Sequence, residues 1–253
     1  MKKFFLTLFV TASVLVGRAN IVADADSAYM ADDFLNAAAL YQAAIDSLGP
    51  SAERYYNLGN AYYRAGMSGM AVVSYERALR LDPANSDIAD NLEFVNSRTV
   101  DRIEPQVSFV GGAVDSFASN MHPDAWAWIG LVAFVLALAG VCVWFFAAGV
   151  AVRKVGFFGA GLLLLVCVLA NILAWRGARK ASADNEAVVV SPSVILSTTP
   201  RQPKDRSEEA LLLHEGTKVT ILDSIATGKE KWFDVRVDGN HRAWISAEAV
   251  EII

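Results

Sequence analysis

Few residues of the kinds that carry most enzyme chemistry occur in this chain. Among 253 residues there are two cysteines and three histidines, and the histidines lie in three different regions. The sequence has no His-Glu-x-x-His zinc motif, no paired cysteines, no nucleophile elbow and no glycine-rich phosphate loop. Cys142 and Cys167 both fall in long uncharged stretches, so the other parts must fold without disulfide bonds. These absences predict a protein that is not an enzyme and has no catalytic residue, metal site or cofactor.

Charged residues are missing from three long stretches. In the first, Lys2-Lys3 precede the apolar run Phe4 to Gly17, and small residues follow at Ala19 and Ala23. This order of basic, apolar and small-residue regions is typical of a secretory signal and predicts a signal peptide over residues 1–23. The alternative is an uncleaved signal anchor. Both interpretations place the chain from Asp24 onward outside the cytoplasm.

The other two uncharged stretches predict transmembrane helices over residues 125–150 and 155–176. Each is long enough to cross a hydrocarbon layer of ~30 Å at about 1.5 Å per residue. Two crossings return the chain to the exported side, so Arg153-Lys154 between them would face the cytoplasm, as the positive-inside rule prefers. Arg176, Arg179 and Lys180 would then lie outside, against that rule. The alternative is a pair of helices buried in a globular core.

Residues 51–85 carry the sparse pattern of a tetratricopeptide repeat. The matching positions are Tyr55, Leu58, Gly59, Tyr62, Ala71, Tyr75, Ala78 and Pro83. Small residues let two antiparallel helices approach closely, and Pro83 ends the second helix because it has no N–H to donate. A degenerate copy lies about 34 residues earlier, and Ile88, Leu92 and Val95 predict one more helix. The sequence therefore predicts an all-α repeat domain over residues 24–98 that binds proteins. Fewer than three full repeats leave an unfinished core, which needs a cap, a partner or a dimer.

A binding surface is predicted on the first helix of this repeat. Helical spacing turns one set of side chains toward the second helix and another set to the concave side. The predicted partner-binding residues are Tyr56, Asn60, Tyr63, Arg64 and, on the next helix, Asn91. Residues 24–104 contain 13 acidic and 6 basic residues, which disfavours nucleic acid and suits a basic partner. The alternative is that these polar side chains and acidic charges merely face water.

The linker, residues 99–122, has apolar residues at helical spacing. Phe109, Val110, Ala113, Val114 and Phe117 belong to this stripe. It predicts either a helix lying on the membrane interface or a helix packed against the repeats.

Short β-branched and aromatic runs follow from residue 185 to the end. They predict strands at Val188–Val190, Val194–Leu196, Lys218–Leu222, Trp232–Val237 and Arg242–Ile245, with a type I′ turn at Asp238-Gly239. Five short strands favour a small all-β barrel, in which Phe233, Val235 and Val237 share one core. The turn Leu213 to Val219 and the run Ala243-Trp244-Ile245 resemble the bacterial SH3-like domain. Trp232 and Trp244 are candidates for its ligand face, and Trp244 has the alternative of a core position.

The whole order predicts a multidomain membrane protein: repeats, a two-helix transmembrane hairpin and an SH3-like barrel. This order resembles the BatE proteins of the bacterial aerotolerance (Bat) operon family. The closest stretches are Tyr55 to Pro83, Ala25-Asp26-Ser27-Ala28-Tyr29 and His214-Glu215-Gly216-Thr217. The resemblance implies inner-membrane partners with von Willebrand A domains, a cytoplasmic MoxR-type ATPase and a role in oxygen tolerance or envelope stress.

Two functions remain open at this point. The first is a non-enzymatic adaptor that gathers membrane-complex partners through its repeats and its SH3-like domain. The second is an envelope sensor or anchor whose SH3-like domain binds peptidoglycan or a peptide. In both, the protein would cross the bacterial inner membrane twice, with both soluble domains in the periplasm.

Overall fold

The computed structural model describes residues 21–101, 109–183, 185–228 and 230–253. These residues form two compact units. The first unit joins the part of the chain before residue 107 to the part after residue 183, and the second comprises residues 107–183. Most of the predicted signal peptide (residues 1–20) and the linker segment 102–108 lie outside the described residues.

Helices begin the first unit. They are α1 (residues 21–30), α2 (Phe34–Leu48), α3 (Ala52–Arg64), α4 (Ser68–Leu81) and α5 (Ser86–Asn96). Ser51 caps α3 by accepting from the Arg54 N–H at 3.2 Å, and Asn85 caps α5 by accepting from the Ile88 N–H at 3.3 Å. A Cβ at Gly59 would lie 2.7 Å from Cε1 of Tyr75, so only glycine allows α3 and α4 to approach this closely.

The C-terminal part of the first unit is an antiparallel sheet. Its strands are β1 (Glu186–Val189), β2 (Ser193–Ser197), β3 (Glu209–His214), β4 (Lys218–Thr227), β5 (Glu230–Arg236), β6 (Arg242–Ser246) and β7 (Val250–Ile252). In the described residues they lie in the order β3-β2-β6-β5-β4-β1-β7. The sheet is therefore open, with β3 and β7 at its edges, whereas the sequence predicted a closed barrel of five strands.

Two strands and one turn were not predicted correctly. The run Glu209 to His214 has three successive leucines, which hide the alternation typical of a strand. Strand β7 has three residues, too few for a pattern. At Asp238-Gly239 the type I′ turn is absent, because Gly239 has no positive φ. Instead the Asp238 carboxylate accepts from the N–H groups of Asn240 and His241, at 2.7 and 2.9 Å.

The core of the sheet lies where the alternation along β5 predicts. Phe233, Val235 and Val237 are buried together with Leu196, Leu213, Val219 and Ile245. Asp234, between two of them, points to the other face and pairs with Arg242. The register of β5 therefore follows from the sequence.

The sheet also covers the repeat helices. Val188 of β1 and the C-terminal Ile253 belong to the same hydrophobic cluster as Val72, Tyr75 and Ile88 of the helices. A Cβ at Gly69 of α4 would lie 2.7 Å from the carbonyl oxygen of Val189. The unfinished repeat core is thus completed by the chain's own sheet.

The second unit consists of α6 (Phe109–Ser119), α7 (Pro123–Phe146) and α8 (Val150–Ala181). Of the described helices, α7 and α8 are long enough and apolar enough to cross a membrane. They pack through small residues such as Gly130, Ala133 and Ala137. Helix α6 lies against α8, where Asp115 pairs with Arg176 at 2.6 Å. Asn171 of α8 donates to the Cys167 carbonyl of its own helix at 2.8 Å.

Candidate partner-binding site

A cleft opens between α3 and α5, with α1 at one side. Its volume is about 120 Å³. The lining residues are Tyr29, Asn60, Tyr63, Arg64, Tyr75, Asn91, Phe94 and Val95. We call this the α3–α5 cleft. It combines aromatic walls with two amides and one guanidinium, a composition that suits the side chains and backbone of a peptide.

An amide network forms the floor of the cleft. The buried Tyr75 hydroxyl donates to Oδ1 of Asn60 at 2.7 Å, and Asn91 donates to the same oxygen at 3.1 Å. Asn91 also donates to the Tyr56 hydroxyl at 3.1 Å. Burial, above all, raises the pKa of Tyr75, so its hydroxyl stays protonated and keeps donating. Removing Asn60 would leave that hydroxyl unpaired at a cost of ~1–3 kcal/mol, so Asn60 supports the fold as well as lining the cleft.

The network leaves two polar groups open toward the cleft. Within the described part of the chain, Nδ2 of Asn60 has no acceptor and Oδ1 of Asn91 has no donor. No buried side-chain nitrogen or oxygen of the described residues lacks a hydrogen bond. Because these two atoms have none, they are accessible to solvent. One is a donor and the other an acceptor, the pair that a peptide backbone presents in complementary form.

Aromatic rings and arginines form the rim. The Tyr63 and Phe94 rings meet edge to face with centroids 5.6 Å apart, and Phe94 is 44% exposed. Arg98 donates to the Tyr63 hydroxyl at 2.7 Å and lies over the Phe94 ring at 3.9 Å. Arg64 lies over the Phe34 ring at 4.3 Å. Rigid aromatic groups with cations beside them are common anchors in protein interfaces.

The predicted residues and the observed cleft overlap strongly. Asn60, Tyr63, Arg64 and Asn91 line it, and Tyr56 is bonded to Asn91. Sequence reasoning missed Tyr29, Tyr75, Phe94 and Val95. Phe94 was within reach of that reasoning, because it lies three residues after Asn91 and so shares its face of α5. That these residues bind a partner protein stays a prediction.

The two tryptophans proposed for the ligand face of the sheet differ in exposure. Trp232 is 2% exposed, and its Nε1 donates to Glu230 at 3.2 Å. Its ring is therefore not available as a surface in this structure. Trp244 is half-buried and lies opposite Asp234 on the face away from the core.

Charged groups join the helices to the sheet within the first unit. Lys218 of β4 pairs with Glu76 of α4 at 3.1 Å and with Glu186 of β1 at 3.0 Å, and Arg80 pairs with Glu186 at 3.3 Å. Burial raises the pKa of Glu186, but the Lys218 ammonium and the Arg80 guanidinium outweigh it and hold that pKa below its usual value. Arg77 reaches Glu251 of β7 at 2.7 Å. The face of α4 that looks polar in sequence thus binds the sheet.

A second contact joins the segment after α5 to the β3–β4 turn. The Asp101 carboxylate accepts from the His214 N–H at 2.7 Å and from the Thr217 hydroxyl at 2.6 Å. Burial raises the pKa of Asp101, but the Thr217 and His214 hydrogen bonds outweigh it and lower that pKa. Gly216 in this turn has a φ of +87°, and a Cβ there would lie 2.6 Å from Cγ2 of Thr99. The turn fits the segment only because residue 216 is glycine.

Among the described residues no group of three or more His, Cys, Asp or Glu side chains could hold a metal ion. The expectation that the protein needs no metal or cofactor stays a prediction.

The tetratricopeptide repeat family model matches residues 52–85. The matched segment contains α3 and α4 and ends at the cap of α5, so the repeat predicted from the sequence is confirmed. No curated protein matches the chain. Tetratricopeptide repeats are typically non-catalytic modules that bind other proteins, which suggests protein partners for this chain.

Proposed function

We propose that this protein is a non-enzymatic, membrane-anchored adaptor that holds partner proteins in its α3–α5 cleft. The observation that carries the proposal is the open amide pair of Asn60 and Asn91, set between aromatic side chains in a tetratricopeptide repeat. A folded peptide groove without a ligand would keep such a donor and acceptor free. An enzyme site would instead need a nucleophile or an acid–base pair beside the cleft.

The proposal places α7 and α8 across a membrane, with both soluble parts on the exported side. Helix α4 and the sheet belong to one compact unit, so both must lie on the same side of the membrane. The chain between them must therefore cross the membrane an even number of times. Arg176 is the first of the positive charges that conflict with the positive-inside rule. Its ion pair with Asp115 neutralises it and weakens that conflict.

The resemblance to the BatE proteins narrows the proposal further. The membrane would be the bacterial inner membrane and the exported side the periplasm. The partners would be membrane proteins with von Willebrand A domains, acting in a Bat-type aerotolerance or envelope-stress complex. The sheet would be the SH3-like domain of that family, despite its open edge strands.

A second candidate function concerns the sheet face opposite the core. Ile195 and Leu212 are direct cross-strand partners there, and both are largely exposed. Together with Trp244 they offer an apolar face for peptidoglycan or a peptide, as an envelope sensor or anchor would need. Retention of the protein by purified cell-wall sacculi, irrespective of changes in the cleft, would favour this function over the adaptor.

Photo-crosslinking from the cleft tests the adaptor function. A photoreactive benzoyl-phenylalanine at position 94 in native membranes is expected to give a discrete adduct with a partner. Arg64→Ala should reduce the adduct about fivefold, the effect of losing ~1 kcal/mol of binding. Its ion pair with Asp32 is exposed and adds little to folding, so the fold should survive.

Arg206→Ala is the matched control for this experiment. It removes an equally exposed guanidinium group, but from the β2–β3 loop, which is far from the cleft in sequence. This variant should leave the amount of adduct unchanged. If Arg64→Ala and Arg206→Ala give equal adducts, the cleft is not the partner site.

A further inference from the structure

Charge changes sign along the α3–α5 cleft. The two helices run in the same direction, because Tyr56 is bonded to Asn91 and Tyr63 to Arg98. Glu53 and Asp87 are exposed in the first turns of α3 and α5. At the opposite end, Arg64 is exposed in the last turn of α3, and Arg98 is exposed two residues after the end of α5. One end of the cleft is therefore acidic and the other basic.

The repeat spacing sets like charges side by side. Glu53 and Asp87 are 34 residues apart, and so are Arg64 and Arg98. No described cation forms an ion pair with either carboxylate. The arginines lie on aromatic rings, and the bond from Arg64 to Asp32 is exposed. The acidic end is thus free to attract a positive charge, and at the basic end a ligand carboxylate would compete with the exposed Asp32 for Arg64.

The separation of the two ends limits what can bridge them. Eleven residues of helix separate Glu53 from Arg64, which is about 16 Å at ~1.5 Å per residue. An extended peptide covers that distance in about five residues at ~3.3 Å each. The open amides of Asn60 and Asn91 lie between the ends, where they meet the backbone of such a peptide.

We propose that the cleft binds an extended peptide segment with a basic side chain at one end and an acidic side chain about five residues away. The basic group would pair with Glu53 and Asp87, and the acidic group with Arg64 and Arg98. The proposal rests on the function of the cleft given above and adds the charge pattern of its ligand. The acidic first turns of both helices and the basic last turn of α3 also suit the helix dipole, so the test must measure binding as well as folding.

A set of labelled peptides tests this charge pattern. The full-length protein in detergent micelles is titrated with fluorescein-labelled peptides that contain one Lys and one Glu, two, five or eight residues apart, in a Ser, Ala and Tyr background. The five-residue spacing is expected to bind about fivefold or more tightly than the others, and the preference should fade at high salt.

A charge-reversed variant provides the decisive comparison. Glu53→Lys with Asp87→Lys should lose the preference for the Lys-containing peptide and prefer a peptide with Glu at both positions. Glu53→Gln with Asp87→Asn should bind both peptides without preference, and circular dichroism shows whether each variant is folded. If the charge-reversed variant unfolds, the test rests on whether the neutral variant loses its preference between the two peptides.

The outcomes separate this inference from the adaptor function. Binding that ignores the spacing and sign of the charges overturns the inference and leaves the adaptor function intact. A position-94 adduct without binding of any peptide also overturns it, because the partner then does not bind as an extended segment. Absence of both the adduct and peptide binding overturns the inference and the adaptor function together.

Discussion

Replacing Val235 by Asp is expected to abolish the protection of the sheet against hydrogen exchange. Val235 is fully buried in the sheet core, between Ile221 on β4 and Ala243 on β6. A carboxylate there would lie among apolar side chains without a partner, at a cost of several kcal/mol. That cost is comparable with the whole stability of a small domain.

Arg236→Asp is the matched control, because it puts the same residue at the next, exposed position of β5. Hydrogen exchange followed by mass spectrometry on peptides from residues 230–237 gives the readout. Protection should be lost in Val235→Asp and kept in Arg236→Asp. Equal protection in the two variants would show that the register of β5 is different.

Replacing Gly69 by Val is expected to separate the repeat helices from the sheet. The nearest atoms to an added Cβ are the Val189 carbonyl oxygen at 2.7 Å, Cα of Val190 at 3.2 Å and the Gly216 nitrogen at 3.3 Å. All three are backbone atoms, so no side chain can rotate away. Overpacking of this kind costs about 1–3 kcal/mol, and here it acts directly on the contact that holds the two parts together.

Spin labels at Asp90 of α5 and Gly239 of the β5–β6 turn, both exposed, report the separation. One narrow distance distribution is expected for the parent protein and a broad one for Gly69→Val. Ser68→Val places the same side chain one residue earlier on α4 and should keep the narrow distribution. A narrow distribution in Gly69→Val would mean that the helices and the sheet are joined in another way.

The repeat was readable from the sequence because its signals are local. Gly59, Ala71 and Ala78 each have to be small for α3 and α4 to pack, and those positions recur at fixed offsets. The core of β5 was readable for the same reason, since alternation along one strand decides its faces. The faces of α3 that point into the cleft followed from helical spacing.

The contact between helices and sheet was not readable. Glu76, Arg77 and Arg80 on α4 look like a solvent-exposed charged face, and their partners lie more than 100 residues away in the chain. The need for glycine at position 69 follows only from the packing of the Val189 backbone against α4, which the sequence does not reveal. The double role of Asn60 was also hidden, because the hydrogen bond from Tyr75 depends on how α4 packs against α3.

Membrane sidedness of single cysteines tests the central claim that one adaptor unit is anchored on one side by a helical hairpin. In a background with Cys142 and Cys167 replaced by alanine, cysteines are placed at Ser97 after α5, Gly239 in the sheet and Gly149 between α7 and α8. All three positions are exposed. A membrane-impermeant maleimide added to cells with a permeabilised outer membrane should label positions 97 and 239 and leave 149 unlabelled. Labelling of only one of positions 97 and 239, or of 149 alone, would contradict the account.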